Sequence, residues 1–115
     1  MKKRILLLLL LLLTGCNKTI SLNINPTSIT SIIYADNNIL NNDYKLVSDE
    51  INNKRLFELY DQSIIGDKLT IKTNNIDYNF EIVDKYIIYT VDNHRYFTST
   101  NNLNIILKNM VENSK

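Results

Sequence analysis

The sequence predicts an α+β domain in which a small antiparallel sheet packs against two helices. Two patterns carry this prediction. Over residues 68–99, apolar and polar residues alternate in four stretches separated by turn-forming pairs, which is typical of hairpin-connected strands. Over about 101–113, apolar residues recur at helical spacing. A sheet with one apolar face and an amphipathic helix each need a partner, so the patterns together predict one layered domain.

The segment before the first predicted helix contains two possible strands separated by Pro26. Residues 28–35 are rich in β-branched side chains, which favours a strand that could join the sheet as an edge. Residues 17–25 have alternating apolar positions and allow two interpretations, a short spacer or an edge strand. A proline suits an edge or a boundary, and we expect the spacer.

The next predicted element is a helix over about 49–62. Ser48 is placed to cap its start, and Glu50 lies four residues before Lys54, a spacing that stabilises helices. The apolar side of this helix would carry Leu56, Leu59 and Tyr60. The pair Asn52-Asn53 is the weak point, because asparagine is a poor helix former.

The alternating region predicts a meander of four strands over 69–73, 76–83, 86–91 and 94–98. The turns between them are Asn74-Asn75, Asp84-Lys85 and Asp92-Asn93, and both residue types tolerate the positive φ angles of two-residue hairpins. Such turns fix the register of pairing. One face of the meander then collects apolar side chains from all four strands: Leu69, Ile71, Tyr78, Phe80, Ile82, Ile87, Tyr89, Val91 and Tyr96.

The opposite face of the meander is largely polar. It should carry cross-strand pairs that are typical of a solvated surface: Lys72 with Asp77, Asn79 with Thr90, and Thr90 with Arg95. The apolar face needs a cover, and the C-terminal helix supplies it. Its apolar positions follow the spacing i, i+3, i+4, i+7 and i+8, namely Leu103, Ile106, Leu107, Met110 and Val111. Ser99 or Thr100 is the expected cap.

The N-terminus has the features of a secretory signal peptide. Lys2-Lys3-Arg4 precede nine apolar residues, Ile5 to Leu13, and small residues follow. As a helix the apolar run would reach about 14 Å, roughly half of a ~30 Å hydrocarbon core. It is therefore too short for a stable transmembrane anchor.

The end of this segment, Leu13-Thr14-Gly15-Cys16, resembles the lipobox of bacterial lipoproteins. The resemblance implies cleavage between Gly15 and Cys16, a diacylglyceryl thioether on the Cys16 sulfur, and commonly an acyl chain on the new amino terminus. Two acyl chains hold a protein stably on a membrane, whereas a protein with a single acyl chain binds reversibly. The expected division is a signal peptide over 1–15, lipidated cysteine and spacer over 16–25, and one domain over 26–115, held on the extracytoplasmic side of a bacterial cell membrane.

Removal of residues 1–15 changes the net charge of the chain and limits the residue types available for catalysis or metal binding. The remaining 100 residues carry 10 basic and 12 acidic side chains, a charge of −2, which does not suggest a nucleic-acid surface. Cys16 is the only cysteine, so no disulfide can form within the chain. This mature chain contains one glycine, Gly66, and one histidine, His94. A glycine-rich phosphate loop is therefore excluded, and no metal or cofactor is implied.

Paired carboxylates are the remaining catalytic candidate, because glycoside hydrolysis needs two of them. Asp77 and Glu81 should share the outward face about 13 Å apart, beyond the ~5–9.5 Å that those mechanisms use. We therefore expect no catalytic residues. The better candidate for recognition is an apolar cluster of Tyr86, Ile88 and Phe97 on the same outward face. We expect residues 28–35 or the first helix to cover it. If uncovered, it is a candidate partner surface.

Three functions fit these observations. The first is a membrane-anchored, non-catalytic binding or interaction module for an unknown protein or envelope ligand. The second is a protective immunity or exclusion lipoprotein that intercepts a toxin, peptide or phage component. The third is a small envelope hydrolase whose residues meet only in space, drawn from Asp77, Glu81, Asp92, His94 and Arg95. We expect the first.

Overall fold

An eight-stranded antiparallel sheet dominates the computed structural model, which describes residues 19–114 and their side chains as far as residue 112. The strands are β1 Thr19–Ile20, β2 Ile29–Tyr34, β3 Asn37–Asn38, β4 Leu56–Glu58, β5 Asp67–Thr73, β6 Asp77–Val83, β7 Tyr86–Val91 and β8 His94–Ser99. Their order across the sheet is β1-β4-β8-β7-β6-β5-β2-β3. The predicted signal peptide and Cys16 lie outside the described residues.

Two helices form a layer on one side of the sheet. Helix α1 spans Tyr44–Ile51 and helix α2 spans Leu103–Ser114, while short 3-10 turns occupy Pro26–Ser28 and Asn41–Asp43. Both helices contribute fully buried side chains to the same core, among them Val47 of α1 and Leu107 of α2. No helix of the described region has the length and apolar character needed to cross a membrane. The α+β class is therefore confirmed, with more strands than the predicted meander.

The predicted meander forms the centre of this sheet as strands β5 to β8. The pairs Leu69–Phe80, Phe80–Tyr89 and Tyr89–Tyr96 are all present, which confirms the predicted register. Two turns use positive φ angles, at Asp84 and at Asp92-Asn93. The Asn74-Asn75 turn contains no such residue, because Thr73 closes it by bonding to Ile76 through both its backbone and its hydroxyl.

The predicted helix over 49–62 is wrong. Helix α1 begins earlier, at Tyr44, and ends at Ile51; the chain turns at Asn53, whose φ is 66°, and then forms strand β4. The asparagine pair explains this end, since the Asn52 side chain bonds to both the N–H and the C=O of Ile24 at 2.7 and 2.8 Å. Ser48 caps nothing and lies buried within α1, where its hydroxyl donates to the Lys45 carbonyl.

Residues 19–25 do not form the expected spacer. Strand β1 pairs with β4 as the edge of the sheet, and Ile24 is 1% exposed in the core. Ile20 and Leu22 are partly buried and pack against the same core. The folded domain therefore includes residues 19–25, which precede the expected boundary at residue 26. At the other side, β2 confirms the strand expected over 28–35, but the hairpin to β3 makes β3 the edge.

Helix α2 covers the apolar face of the meander as predicted. Leu103 and Leu107 are fully buried, Met110 is buried, and Ile106 and Val111 pack against the core. The predicted cap is wrong, because the helix begins at Leu103 and not directly after Thr100. The Thr100 hydroxyl instead donates to the Lys85 carbonyl at 3.1 Å, which ties the end of β8 to the β6–β7 turn.

Candidate binding groove on the outer face of the sheet

An apolar groove lies on the outer face, the side of the sheet opposite the helices. It encloses about 390 Å³ and is called the outer groove below. Its floor comes from strands β6, β7 and β8 and its wall from the segment after β4. The lining residues are Leu59, Ile64, Val83, Tyr86, Ile88 and Phe97.

The sheet register brings the floor of the groove together. Val83 pairs with Tyr86, and Ile88 pairs with Phe97, so four apolar side chains occupy two adjacent rows of the outer face. Ile88 at the centre is buried, whereas Tyr86 at the margin is 48% exposed. The structure thus places all three residues of the predicted partner surface in one groove, with Tyr86 still open to solvent.

Aromatic rings extend the groove onto the next strand. Phe57 of β4 lies opposite Phe97 of β8 in the sheet, and their ring centroids are 6.3 Å apart. Phe97 also contacts Tyr86, with centroids 6.4 Å apart. These tilted arrangements are the ones that aromatic pairs prefer. The three rings therefore form a continuous aromatic row from the margin of β4 to the margin of β7.

The wall of the groove is a loop of residues 59–66, called the covering loop below. Neither strand β2, which lies within the sheet, nor a helix covers the groove, so the expectation for residues 28–35 and the first helix is wrong. The covering loop is held by the Arg95 guanidinium, which donates to the carbonyls of Asp61 and Ile64. Its first residue, Leu59, donates its N–H to the Arg95 carbonyl at 2.8 Å.

Glu81 completes this attachment from the neighbouring strand. Its Oε2 accepts from Arg95 at 3.0 Å, and its Oε1 accepts from the Gly66 N–H at 3.1 Å. Gly66 itself lies against the backbone of β6: a Cβ there would be 2.5 Å from Val83 Cγ2 and in collision with the Ile82 carbonyl oxygen. Only glycine allows the loop to rejoin the sheet this closely.

The tip of the covering loop forms its own turn. The Asp61 carboxylate accepts from both the hydroxyl and the N–H of Ser63, at 2.6 and 2.9 Å. These bonds favour the ionised carboxylate and lower the pKa of Asp61 below its usual value. The loop is therefore shaped by a local turn at its tip and by Arg95 and Glu81 at its base.

The structure separates most residues of the hydrolase alternative. Glu81 and Arg95 meet, but their polar atoms bind the covering loop. Asp77 is exposed and pairs across the sheet with Lys72, while Asp92 and His94 flank the exposed β7–β8 turn. Within residues 19–114, no group of three or more His, Cys, Asp or Glu side chains is arranged to hold a metal ion.

Sequence reasoning missed the wall of the groove and its support. The sequence pattern places Leu59 on the apolar side of a helix, indicates no role for Ile64, and places Arg95 on a solvated surface. Arg95 is buried because the covering loop folds over it. One signal for this loop was available: Gly66 stands directly before strand β5, where a glycine often marks a close approach of two backbones.

Comparison with known proteins gives no significant match: no protein-family model matches the chain, and neither a curated protein nor a solved structure is significantly similar to it.

Proposed function

We propose that this protein is a lipid-anchored, non-catalytic binding module on the extracytoplasmic side of a bacterial cell membrane, and that the outer groove is its binding surface. The observation that carries the proposal is the groove itself, an apolar concavity left open beside exposed aromatic rings. The anchor rests on the lipobox resemblance of Leu13-Thr14-Gly15-Cys16. A contiguous cluster of exposed apolar side chains of this kind can mark a contact surface.

The chemistry of the lining supports binding over catalysis. The Tyr86 hydroxyl is the one polar side-chain group among the six lining residues. The ion pair on this face, Glu81 and Arg95, bonds within itself and to the covering loop. A site without an available acid, base or nucleophile recognises a ligand by shape and by burial of apolar area.

The size of the groove limits what can enter it. Its volume of about 390 Å³ is near the lower end of ligand sites, which span roughly 300–1,000 Å³. The groove therefore suits a few apolar groups, such as aromatic or aliphatic side chains or a length of acyl chain. Because Arg95 and Glu81 fix the covering loop, the shape is largely present before binding, which lowers the entropy cost of association.

Photo-crosslinking in intact cells tests this proposal. A photoreactive phenylalanine derivative would replace Tyr86 in the groove or, as the control, Ile105 on the far side of the domain, where the native side chains are 48% and 54% exposed respectively. We expect adducts from position 86 and few from position 105. Equal adduct yields at the two positions, or none at 86, would show that the groove is not a preferred contact surface.

A further inference from the structure

We infer that the outer groove and its aromatic margin bind the surface of the same lipid bilayer that holds the anchor. This inference rests on the proposed lipid anchor at Cys16 and specifies the ligand of the groove. The domain would then lie on the membrane through its outer face, with helices α1 and α2 directed away from the lipid. Three features support this orientation: the path of the chain, the length of the tether, and the chemistry of the exposed residues.

The path of the chain brings the anchor to the corner where the covering loop begins. Strands β1 and β4 are antiparallel, with Thr19 opposite Phe57. The N-terminal end of β1 therefore lies beside the C-terminal end of β4, from which the covering loop leaves. The chain from Cys16 enters the domain at this corner and not at the far edge formed by β3.

The length of the tether, the chain between Cys16 and Thr19, limits how far the anchor can lie from this corner. Three residue steps separate Cys16 from Thr19, and they span at most about 11 Å when fully extended. Paired Cα atoms of antiparallel strands are about 4.5–5.5 Å apart. The lipidated cysteine therefore lies within about 16 Å of the Phe57 backbone. A diacylglyceryl group on Cys16 would hold this corner close to the headgroups.

The exposed residues of the outer face, from this corner across to β7, suit a lipid interface. Four large apolar or aromatic side chains are open to solvent on the aromatic row and the covering loop: Phe57 at 44%, Tyr60 at 68%, Ile65 at 77% and Tyr86 at 48%. Tyrosine is enriched at the headgroup level of membranes, where an apolar ring and a polar hydroxyl are both accommodated. The apolar groove behind them offers space for the segments of acyl chains next to the headgroups.

The charges around the groove are mixed, which indicates the kind of membrane binding expected. The charged residues next to this surface in the sequence are the basic Arg55 and Lys85 and the acidic Glu58, Asp61 and Asp84. A polybasic surface would require anionic lipids, whereas a surface without an excess of basic residues binds through insertion of its apolar side chains. We therefore expect docking to neutral phosphatidylcholine as well as to anionic vesicles.

The chain contains no tryptophan, so a single introduced tryptophan reports on one place in the molecule. The experiment uses the mature lipidated protein reconstituted in phosphatidylcholine vesicles with brominated acyl chains, which quench nearby tryptophans. Y86W reports on the groove and I105W on helix α2, and both native residues are about half exposed. Circular dichroism checks that both variants fold, and labelling with a palmitate analogue checks that both carry the lipid.

We expect the tryptophan at position 86 to be quenched by about half or more and its emission to shift to the blue, since interfacial groups lie about 5–10 Å deep in the headgroup boundary. The tryptophan at position 105 should stay unquenched. Lipidated protein in which neither position is quenched would overturn the bilayer orientation while leaving the anchor intact. Protein adducts from position 86 without quenching would assign the groove to a protein partner and also overturn it. Absence of the lipid label would instead refute the proposed function.

Discussion

The attachment of the covering loop by Arg95 leads to the most detailed prediction. In Arg95→Met the apolar stem is kept, but the guanidinium that bonds to Asp61, Ile64 and Glu81 is lost. The Arg95 side chain is 9% exposed and that of Glu81 is 21% exposed, so the remaining carboxylate loses its partner in a mostly buried place. The loop should detach from the base of the groove.

The expected loss of stability follows from the burial of this ion pair. Removing one partner of a fully buried pair costs about 3–5 kcal/mol. Glu81 is partly exposed, and the released carbonyls of the covering loop can bind water. We therefore expect a reduction of about 2–3 kcal/mol in the free energy of unfolding.

Urea denaturation followed by circular dichroism measures this difference, and two comparisons make it specific. Lys72→Met removes an exposed cation from the same face and should change stability by less than about 0.5 kcal/mol. The double variant with Glu81→Met should lose less than the sum of the two single variants, because the pair is coupled. A loss below about 0.5 kcal/mol for Arg95→Met, or strict additivity, would refute the role given to this ion pair.

Three further predictions concern the backbone, the register and the core tyrosines. Gly66→Ala should lower stability by about 1–3 kcal/mol in urea denaturation, because its Cβ meets the backbone of β6, and an unchanged midpoint would contradict that contact. Phe80→Asp should prevent folding by burying a charge, whereas Asn79→Asp on the outer face should be mild, and equal effects in circular dichroism would contradict the register. Burial raises the pKa of both Tyr34 and Tyr89 above 10.0, with Asp67 adding to the shift at Tyr34. Their contribution to stability is therefore complete below pH 10 and is lost as the pH rises through the raised values, so the double Phe variant should show a shallower alkaline loss in pH-dependent urea denaturation.

The elements predicted correctly are those determined by short stretches of chain. The Asp84-Lys85 and Asp92-Asn93 turns fix the pairing between neighbouring strands. The position of the first turn therefore predicts that Phe80 lies opposite Tyr89. The amphipathic spacing of helix α2 is equally local. These parts of the fold need no information from distant residues.

The elements predicted wrongly depend on contacts between distant parts of the chain. Strand β4 has only three residues, and it forms because β8 and β1 offer edges on both sides. Asn52 ends helix α1 through bonds to Ile24, which is remote in sequence. The candidate site divides in the same way: Tyr86, Ile88 and Phe97 follow from register, whereas the covering loop depends on long-range bonds from Arg95.

The most direct test of the central claim concerns lipidation of Cys16. Cells expressing the full chain or Cys16→Ala would be labelled with an alkynyl palmitate analogue, and the protein would be examined for label and for size. We predict that the unaltered chain is labelled and cleaved, while Cys16→Ala stays unlabelled and remains an unprocessed precursor. Labelling that is unchanged in Cys16→Ala would contradict the lipid anchor, and with it the membrane orientation inferred for the outer groove.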